Sequence, residues 1–442
     1  MHLSLLVNAV MQSGSYYVNK FSLSYYEVYQ EEKKHPKAGA LIENLLKGVY
    51  ACMELERKKR KEIENFGLLD DDVFFDVLSR LPAKCLLRLK SVCKGWCRLI
   101  SDCIFIKVQS QTLEPIVGFL IQQRFQWCSD DIKIITHIPV ELGSAALQQS
   151  VFSFLPDDVV VLSSCNGLVC CRSCFPFSDP AIYVCNPVNK DWIKLKWTKP
   201  DKEDSVVLVF DPCQDMVDCS TNFKLVRVRQ FETASEDLYF SFDIYCSSTG
   251  AWRVSQEICY CSDKLLKNKG IYVGGILHWL TDGDEILTFN VENELSWLIS
   301  VPVSAAQIES DYQSCVGESD GQLYYVMISE NGLQFWFLED YFEFKWNLKY
   351  SKTLEVLEEE HPNFLCNLHE RVRRRPTIDS NPWMDPLAFR DGILLIRVCA
   401  KIFLYHVETN KMNEVCYVSG LGTYSSYLPT VLPYSLSLVR LT

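Results

Sequence analysis

A cluster of cysteines in the first half of the chain is the first set of residues whose spacing could do chemistry. Cys171 and Cys174 form a CxxC pair, the spacing with which thiolates bind zinc or exchange a disulfide, and Cys165 and Cys170 precede it. No second pair stands at zinc-site spacing, and the segment alternates like a strand. The pattern predicts buried, reduced thiols that pack as small apolar residues, with a metal or redox site as the alternative.

A run of carboxylates at Asp282, Asp284 and Glu285 could supply the paired acids of a hydrolase. A glycine lies within the run and apolar segments flank it, which is typical of a hairpin turn. None of the seven histidines forms a metal-binding pair at helical spacing, and His278 is typical of a packed core imidazole. The sequence has no G-x-S-x-G elbow and no phosphate loop. We therefore expect a chain that is not an enzyme, holds no metal and needs no cofactor.

The charge of the chain favours a protein partner. The formal net charge is −12, and residues 111–442 carry 27 Lys and Arg against 43 Asp and Glu. Binding to a phosphate backbone needs a basic surface, so we expect no nucleic-acid partner. No apolar run approaches the 18 or so residues of a spanning helix, and Met1–Met11 lacks the basic start of a secretory signal. We expect a protein of the cytoplasm, the nucleus or both, without a membrane partner.

Residues 1–64 are expected to form an N-terminal extension that is partly helical or disordered. A helical pattern covers about 38–65 and contains the basic run Arg57–Lys61, which could act as a nuclear import signal or nucleic-acid patch. Glutamates flank this run on both sides, and their pairing with the basic residues favours a solvated helix. A second basic cluster stands at Arg371–Arg375.

The next segment, 65–108, predicts three short helices. Apolar residues recur at spacings of one, three and four from Val73 to Leu81, which draws one stripe along a helix that begins with acidic residues. Leu81-Pro82 ends that helix, and further apolar sets follow at Leu86–Cys93 and Trp96–Ile100. A module of this size cannot bury a core alone, so its surplus of leucines predicts a partner that completes it.

This segment resembles an F-box. The resemblance rests on the Leu81-Pro82 break, the Leu86-Leu-Arg88 run and the segment Val92-Cys-Lys-x-Trp96, in that order. It implies docking to the Skp-type adaptor of a cullin–RING ubiquitin ligase. The residues expected to carry that contact, or to shape the helices that make it, are Leu69, Val73, Leu78, Leu81, Pro82, Leu86 and Leu89.

Two positions depart from the F-box pattern. Asp70 stands where the family usually has the proline of a Leu-Pro opening, and the acidic trio from Asp70 to Asp72 is expected to preserve the helix start. Cys85 stands where the family tends to have a Ser or Thr cap for the next helix. A thiol is a weaker acceptor, which predicts weaker adaptor binding.

Residues 115–442 predict a large all-β domain. Strand–turn–strand segments recur at Ile182–Trp192, Phe242–Trp252, Ile286–Glu294 and Ile402–Lys411, and each reads as the outer hairpin of a sheet. Glycine turns before apolar strands precede them at Ser164–Cys170, Tyr272–Trp279, Asp320–Tyr325 and Arg390–Leu395. Two hairpins make a four-stranded unit, and such units recur at the spacing of propeller blades. The fold class expected is mixed, with a small three-helix F-box before a β-propeller of about six blades; a two-sheet sandwich is the alternative.

This β region also looks like the F-box-associated domain of plant F-box proteins. Its motifs stand in order at Ser164–Leu168, Cys185–Pro187 with Trp192, Phe210–Pro212 with Phe223–Val228, and Gly275–Leu280. The resemblance implies a kelch-like domain that recruits a protein target of unknown identity to a Skp–cullin–F-box (SCF) ubiquitin ligase. The alternatives are an F-box protein in a non-degradative complex and a propeller enzyme.

Overall fold

The computed structural model describes most of the chain from the first short helix onwards. The described residues are 71–112, 114–123, 131–141, 151–176, 179–198, 200–201, 204–213, 221–232, 238–304, 312–365, 384–421 and 429–441. The expected extension 1–64 and the basic cluster Arg371–Arg375 lie outside them. The chain divides into two compact units, Met1–Glu114 and Pro115–Thr442.

The first unit contains four short helices in its described part, one more than the apolar pattern predicted. They are α1 (Asp71–Ser79), α2 (Ala83–Leu89), α3 (Lys94–Ile100) and α4 (Cys103–Ser110). The extra helix arises because the Asp102 carboxylate accepts hydrogen bonds from the backbone N–H groups of Ile104 and Phe105. A new helix thus begins directly after α3.

The core of this helical unit is built from its leucines and one aromatic pair. Leu78 on α1 and Leu86 on α2 are buried, as are Ile100 and Phe105. Phe75 meets Phe105 edge to face, with ring centroids 5.3 Å apart, and this contact joins α1 to α4.

The second unit is built of 23 strands with one short helix, α5 (Leu354–Glu360), among the described residues. The strands are β1 (Ile116–Gln122), β2 (Ile135–Pro139), β3 (Val159–Cys165), β4 (Leu168–Ser173), β5 (Ala181–Asn186), β6 (Asp191–Lys196), β7 (Ser205–Val209), β8 (Lys224–Glu232), β9 (Leu238–Cys246), β10 (Ala251–Tyr260), β11 (Leu265–Val273), β12 (Ile276–Thr281), β13 (Glu285–Asn290), β14 (Leu295–Ser300), β15 (Gln313–Ser319), β16 (Gln322–Ser329), β17 (Gly332–Asp340), β18 (Lys345–Lys352), β19 (Met384–Arg390), β20 (Ile393–Val398), β21 (Lys401–His406), β22 (Lys411–Tyr417) and β23 (Thr430–Ser435).

These strands form six antiparallel groups, which we call blades. Blades 1, 2 and 3 are the sheets β3–β6, β7–β10 and β11–β14. An eight-stranded sheet holds blade 4 (β15–β18) and blade 5 (β19–β22), which are joined by the single parallel pair of Glu318 with Arg390. Blade 6 combines the last strand, β23, with β1 and β2. The predicted fold class, a short helical region before a large propeller, is confirmed.

The blades close into a ring through their first strands. In chain order β3, β7, β11, β15, β19 and β23 each contact the next, and β23 returns to contact β3. Blade 6 completes this ring because β23 pairs with β1, from Ile116 opposite Ser435 to Gln122 opposite Thr430. Both ends of the propeller sequence are therefore needed to complete one sheet.

The alternation of strands gives the propeller two distinct faces. In the four-stranded blades, the links between strands one and two, and three and four, lie on one side, which we call the turn face; the links between strands two and three and between successive blades lie on the other, the connection face. Tight turns with positive φ at both residues, such as Asn166-Gly167 (45° and 85°) and Asp320-Gly321 (53° and 74°), join strands one and two. The inner and outer hairpins predicted from the sequence are confirmed in blades 1, 3 and 5.

Blades pack through apolar faces, and three of them also bury an ion pair. Phe242 of blade 2 stacks on Phe289 of blade 3 with ring centroids 4.2 Å apart. The buried pairs join an arginine on the second strand of a blade to an aspartate: Arg172 with Asp131, Arg227 with Asp204, and Arg397 with Asp385. A buried charge is tolerated only with such a partner, so loss of one member of a pair is expected to destabilise the fold.

Candidate functional site

The predicted adaptor-binding residues divide into a buried and an exposed group. Leu78, Leu81 and Leu86 are buried within the helical unit, where they shape the helices. Pro82 is exposed and Leu89 is half-buried. Val73 lies on α1, but its side chain is not described, and Leu69 lies outside the described residues. The contact of these seven residues with an adaptor stays a prediction.

The corner between α1 and α2 is held by a residue that the sequence pattern did not indicate. Pro82 occupies the N-cap of α2 and offers no side-chain cap. Instead Glu114 Oε1 accepts the backbone N–H of Ala83 at 2.7 Å and the side-chain N–H of Gln109 at 2.6 Å. Burial raises the pKa of Glu114, and the two hydrogen bonds oppose that rise. Glu114 thus links the start of α2 to the last helix, α4.

The expectation that Cys85 caps the second helix is wrong. Cys85 lies inside α2, which begins at Ala83, so its thiol has no free helix terminus to cap. The cysteine that does cap a helix is Cys93, whose Sγ accepts the Trp96 N–H at 3.4 Å at the start of α3. The reason for expecting weak adaptor binding therefore disappears.

An exposed apolar stripe on α4 is a candidate partner surface among the described residues of this unit. Ile104 is 60% exposed and Val108 is 37% exposed, while Phe105, Ile106 and Gln109 are buried. Residues four apart share one helix face, so Ile104 and Val108 form a continuous apolar strip. The leucine pattern of the sequence does not include these two residues; their i, i+4 apolar spacing was the signal that could have found them.

The propeller presents loops on both of its faces. The connection face carries links between blades, such as 261–264 between β10 and β11. The turn face carries the short hairpin tips, including an exposed aromatic tip at Phe342 and Phe344 on blade 4. Binding residues on a propeller are commonly presented by such loops, held in place by the blades.

The cysteine cluster in blade 1 consists of buried free thiols, as the sequence predicted. Cys165, Cys170 and Cys171 are buried and Cys174 is half-buried, and none is in a disulfide. Burial raises the pKa of Cys165 to about 12 and that of Cys174 to about 11, so these thiols stay protonated near neutral pH. They therefore serve as packing groups.

The carboxylates that could have formed an acid pair lie in a turn, as predicted. Asp282 Oδ1 accepts the backbone N–H of Lys264 at 2.7 Å, between β12 and β13. Beside this turn, Cys261, Asp263 and Glu285 bring one ligand atom each to within 4.8 Å of one another, the one such group among the residues the structure describes. The Cys261 thiol already donates to the Glu285 carboxylate at 3.9 Å and to the Asp263 carbonyl at 3.8 Å. This arrangement is a hydrogen-bonded corner at the edge of blade 3.

His278 is a buried structural imidazole. Its ring lies between blades 3 and 4, with Nε2 at 3.1 Å from the Tyr341 hydroxyl. Burial lowers the pKa of His278 to about 3. A histidine that stays neutral at all physiological pH values, with no exposed surface, is a poor general base.

The pKa of His278 predicts a measurable pH dependence of stability. In the unfolded chain this histidine binds a proton near its ordinary pKa of 6.5, whereas the folded protein resists protonation down to about 3. The free energy of unfolding should therefore fall as the pH drops through this window, because only the unfolded state takes up the proton. Urea unfolding at a series of pH values should show a shallower fall for His278→Gln. Parallel curves for the two proteins would contradict the prediction.

No helix in the described ranges has the length and apolarity needed to cross a membrane.

Comparison with protein families identifies both units. An F-box domain model matches residues 66–107, within the helical unit. A second model, described as F-box protein At3g26010-like, beta-propeller, matches residues 138–367, which is more than half of the chain.

Curated F-box proteins match most of the chain. F-box protein At5g49610 of Arabidopsis thaliana is 28% identical over 324 residues, which cover 69% of this chain and 85% of that protein. Putative F-box protein At4g10190 of Arabidopsis thaliana is 26% identical over 391 residues, covering 82% of this chain and 97% of that protein. Among solved structures, TolB from Acinetobacter baumannii aligns with 76% of this chain and 73% of that chain at 11% identity, with a TM-score of 0.37. With helices, propeller and family matches in agreement, the chain belongs to the family of F-box proteins with an At3g26010-like beta-propeller.

Proposed function

We propose that this protein is the substrate-receptor subunit of a Skp–cullin–F-box ubiquitin ligase. The observation that carries the proposal is the combination of an F-box match at 66–107 with a separate, closed propeller in one chain. In this proposal the F-box comprises 65–108 and docks the Skp-type adaptor, while 115–442 docks a protein target.

The proposed mechanism is proximity. A receptor that holds a target beside a ubiquitin-charged enzyme raises the effective concentration of the target lysine. No group in the chain has to make or break a bond. The protonated thiols of blade 1, the neutral buried His278 and the hydrogen-bonded turn at Asp282 all support a non-catalytic role.

The propeller is proposed to be a binding module for a protein partner, without a cofactor. The acidic balance of the propeller sequence, 27 basic against 43 acidic residues over 111–442, disfavours nucleic acid and suits a protein surface of opposite charge. The proposed location is the cytoplasm, the nucleus or both, where cullin–RING ligases would meet the chain.

Replacing Leu81 and Pro82 together with Ala should abolish binding to the Skp-type adaptor. Leu81 is buried at the corner that ends α1, and Pro82 sets the start of α2, so the pair orients the first two helices. A pull-down of purified adaptor by the full chain measures the effect. The thermal unfolding of the propeller should be unchanged, because these residues belong to the other unit. Adaptor binding equal to that of the wild type would contradict the proposed interface.

An F-box protein in a complex that does not degrade its target is the second candidate function. Both candidate functions use the adaptor contact, but only the first leads to degradation of the target. The half-life of the target after loss of this protein therefore separates the two. A target whose half-life stays constant would favour the second candidate.

A further inference from the structure

The hairpin that joins β17 to β18 in blade 4 carries the most exposed large apolar side chain in the described structure. Phe342 is 95% exposed, and Phe344 and Leu348 of the same hairpin are also exposed. Trp346 and Leu348 lie two residues apart on the outer strand and share one side of it, and Phe344 ends the turn just before that strand. We call Phe342, Phe344, Trp346 and Leu348 the blade 4 tip patch.

The exposure of Phe342 is fixed by the hairpin that holds it. Asp340 Oδ1 accepts the backbone N–H groups of Phe342 at 2.7 Å and of Glu343 at 3.1 Å, and these bonds lower the pKa of Asp340. Phe344 closes the turn with a φ of 52°. The aromatic ring at the apex is therefore presented in one backbone conformation.

Both sides of the hairpin are also anchored to blade 3. The Tyr341 hydroxyl meets Nε2 of the buried His278, and Trp346 Nε1 donates to the Ser300 carbonyl at 2.9 Å. A surface that is ordered before it binds loses little conformational entropy on binding. Large side chains presented in this way are the usual anchors of protein interfaces.

The surroundings of the patch are acidic. Glu343 is exposed at the apex, with no ion-pair partner among the described residues, and Asp340 remains charged. Glu339 is paired with Lys345 at 2.6 Å, and the charge of Lys345 also acts on Asp340 and Glu343, so three acids surround one base at the apex.

We propose that the blade 4 tip patch is an anchor for the protein partner, and that the partner offers an apolar site bordered by Lys or Arg. The identification of this partner as the ligase target rests on the proposed function. An apolar surface with an acidic rim is complementary to an apolar peptide segment flanked by basic side chains. The basic side chains of the segment would pair with Glu343 and Asp340 while its apolar residues pack on Phe342.

Selection of a phage-displayed library of random linear peptides on the full chain, bound to its adaptor, tests the proposal. The selected peptides should combine apolar residues with Lys or Arg. Phe342→Ser should weaken their binding about thirtyfold, the loss typical of an interface anchor. Glu343→Lys should weaken binding several-fold and reduce its dependence on salt, because it removes an attraction that ions screen.

Tyr260→Ser is the matched control, since Tyr260 is a 62% exposed aromatic residue on blade 2. It should leave peptide binding unchanged. Peptides that are acidic or neutral, or that lose binding with Tyr260→Ser and keep it with Phe342→Ser, would overturn the proposal. Each of these propeller variants should pull down the adaptor as the wild type does. The double variant Leu81→Ala with Pro82→Ala should keep peptide binding. The two results distinguish a failure of this patch from a failure of the F-box assignment.

Discussion

Replacing Arg397 with Met should lower the free energy of unfolding of the propeller by about 3–5 kcal/mol. Arg397 on β20 donates to Asp385 on β19 at 3.3 Å, and both side chains are buried in blade 5. Methionine fills a similar volume but leaves the Asp385 carboxylate without its guanidinium partner. The cost is that of holding a charge in an apolar interior. Urea unfolding followed by tryptophan fluorescence measures it.

Two further variants locate the origin of that loss. Lys133→Met breaks the exposed pair of Lys133 with Asp158, whose atoms lie 2.7 Å apart, and should cost at most about 0.5 kcal/mol. The double variant Arg397→Met with Asp385→Leu should be more stable than Arg397→Met alone, because it also removes the buried carboxylate. Equal losses for the exposed and buried pairs would show that burial does not set the energy of these contacts.

Replacing Ile104 and Val108 together with Asp should weaken adaptor binding by about a hundredfold or more. Burial of each side chain in the interface would contribute about 1.5–3 kcal/mol to the binding free energy when burial is complete. Both already face solvent on α4, so charged replacements should leave the helical unit folded. Isothermal titration of the adaptor into the full chain measures the change.

Val356→Asp provides the comparison for this experiment. Val356 is 38% exposed on α5 of the propeller, so it matches Val108 in residue type, exposure and helical setting. Its replacement should leave adaptor affinity unchanged. If the α4 double variant also binds normally, the adaptor does not use the α4 stripe.

The sequence predicted the hairpins well because their determinants are local. A glycine or asparagine that accepts positive φ, as at Asn166-Gly167, stands between alternating apolar segments and marks both strands at once. The same logic placed Asp282 in a turn and the Cys170 and Cys171 thiols in a buried strand. A catalytic or metal-binding role was not needed to explain these residues, because the hairpin pattern already accounts for their types.

Features that join distant residues were not accessible from the pattern. The pairing of β1 with β23, which completes the ring, joins Ile116 to Ser435. Glu114 caps Ala83 across 31 positions, and Asp131 reaches Arg172 across 41. These contacts form only when the ring has closed or the helices have folded. The inward position of Leu78 and Leu86 is of the same kind, since a leucine stripe does not reveal whether a helix packs on its own module or on a partner.

Site-resolved proteomics of ubiquitinated lysines is the measurement that tests the receptor role most directly. Cells expressing the wild-type chain are compared with cells expressing Leu81→Ala with Pro82→Ala, and with cells expressing the chain without residues 115–442. The account predicts a set of lysines on one target or a few that carry ubiquitin only with the wild-type chain, because adaptor docking and target docking are both required. The same ubiquitinated lysines in all three samples would contradict it.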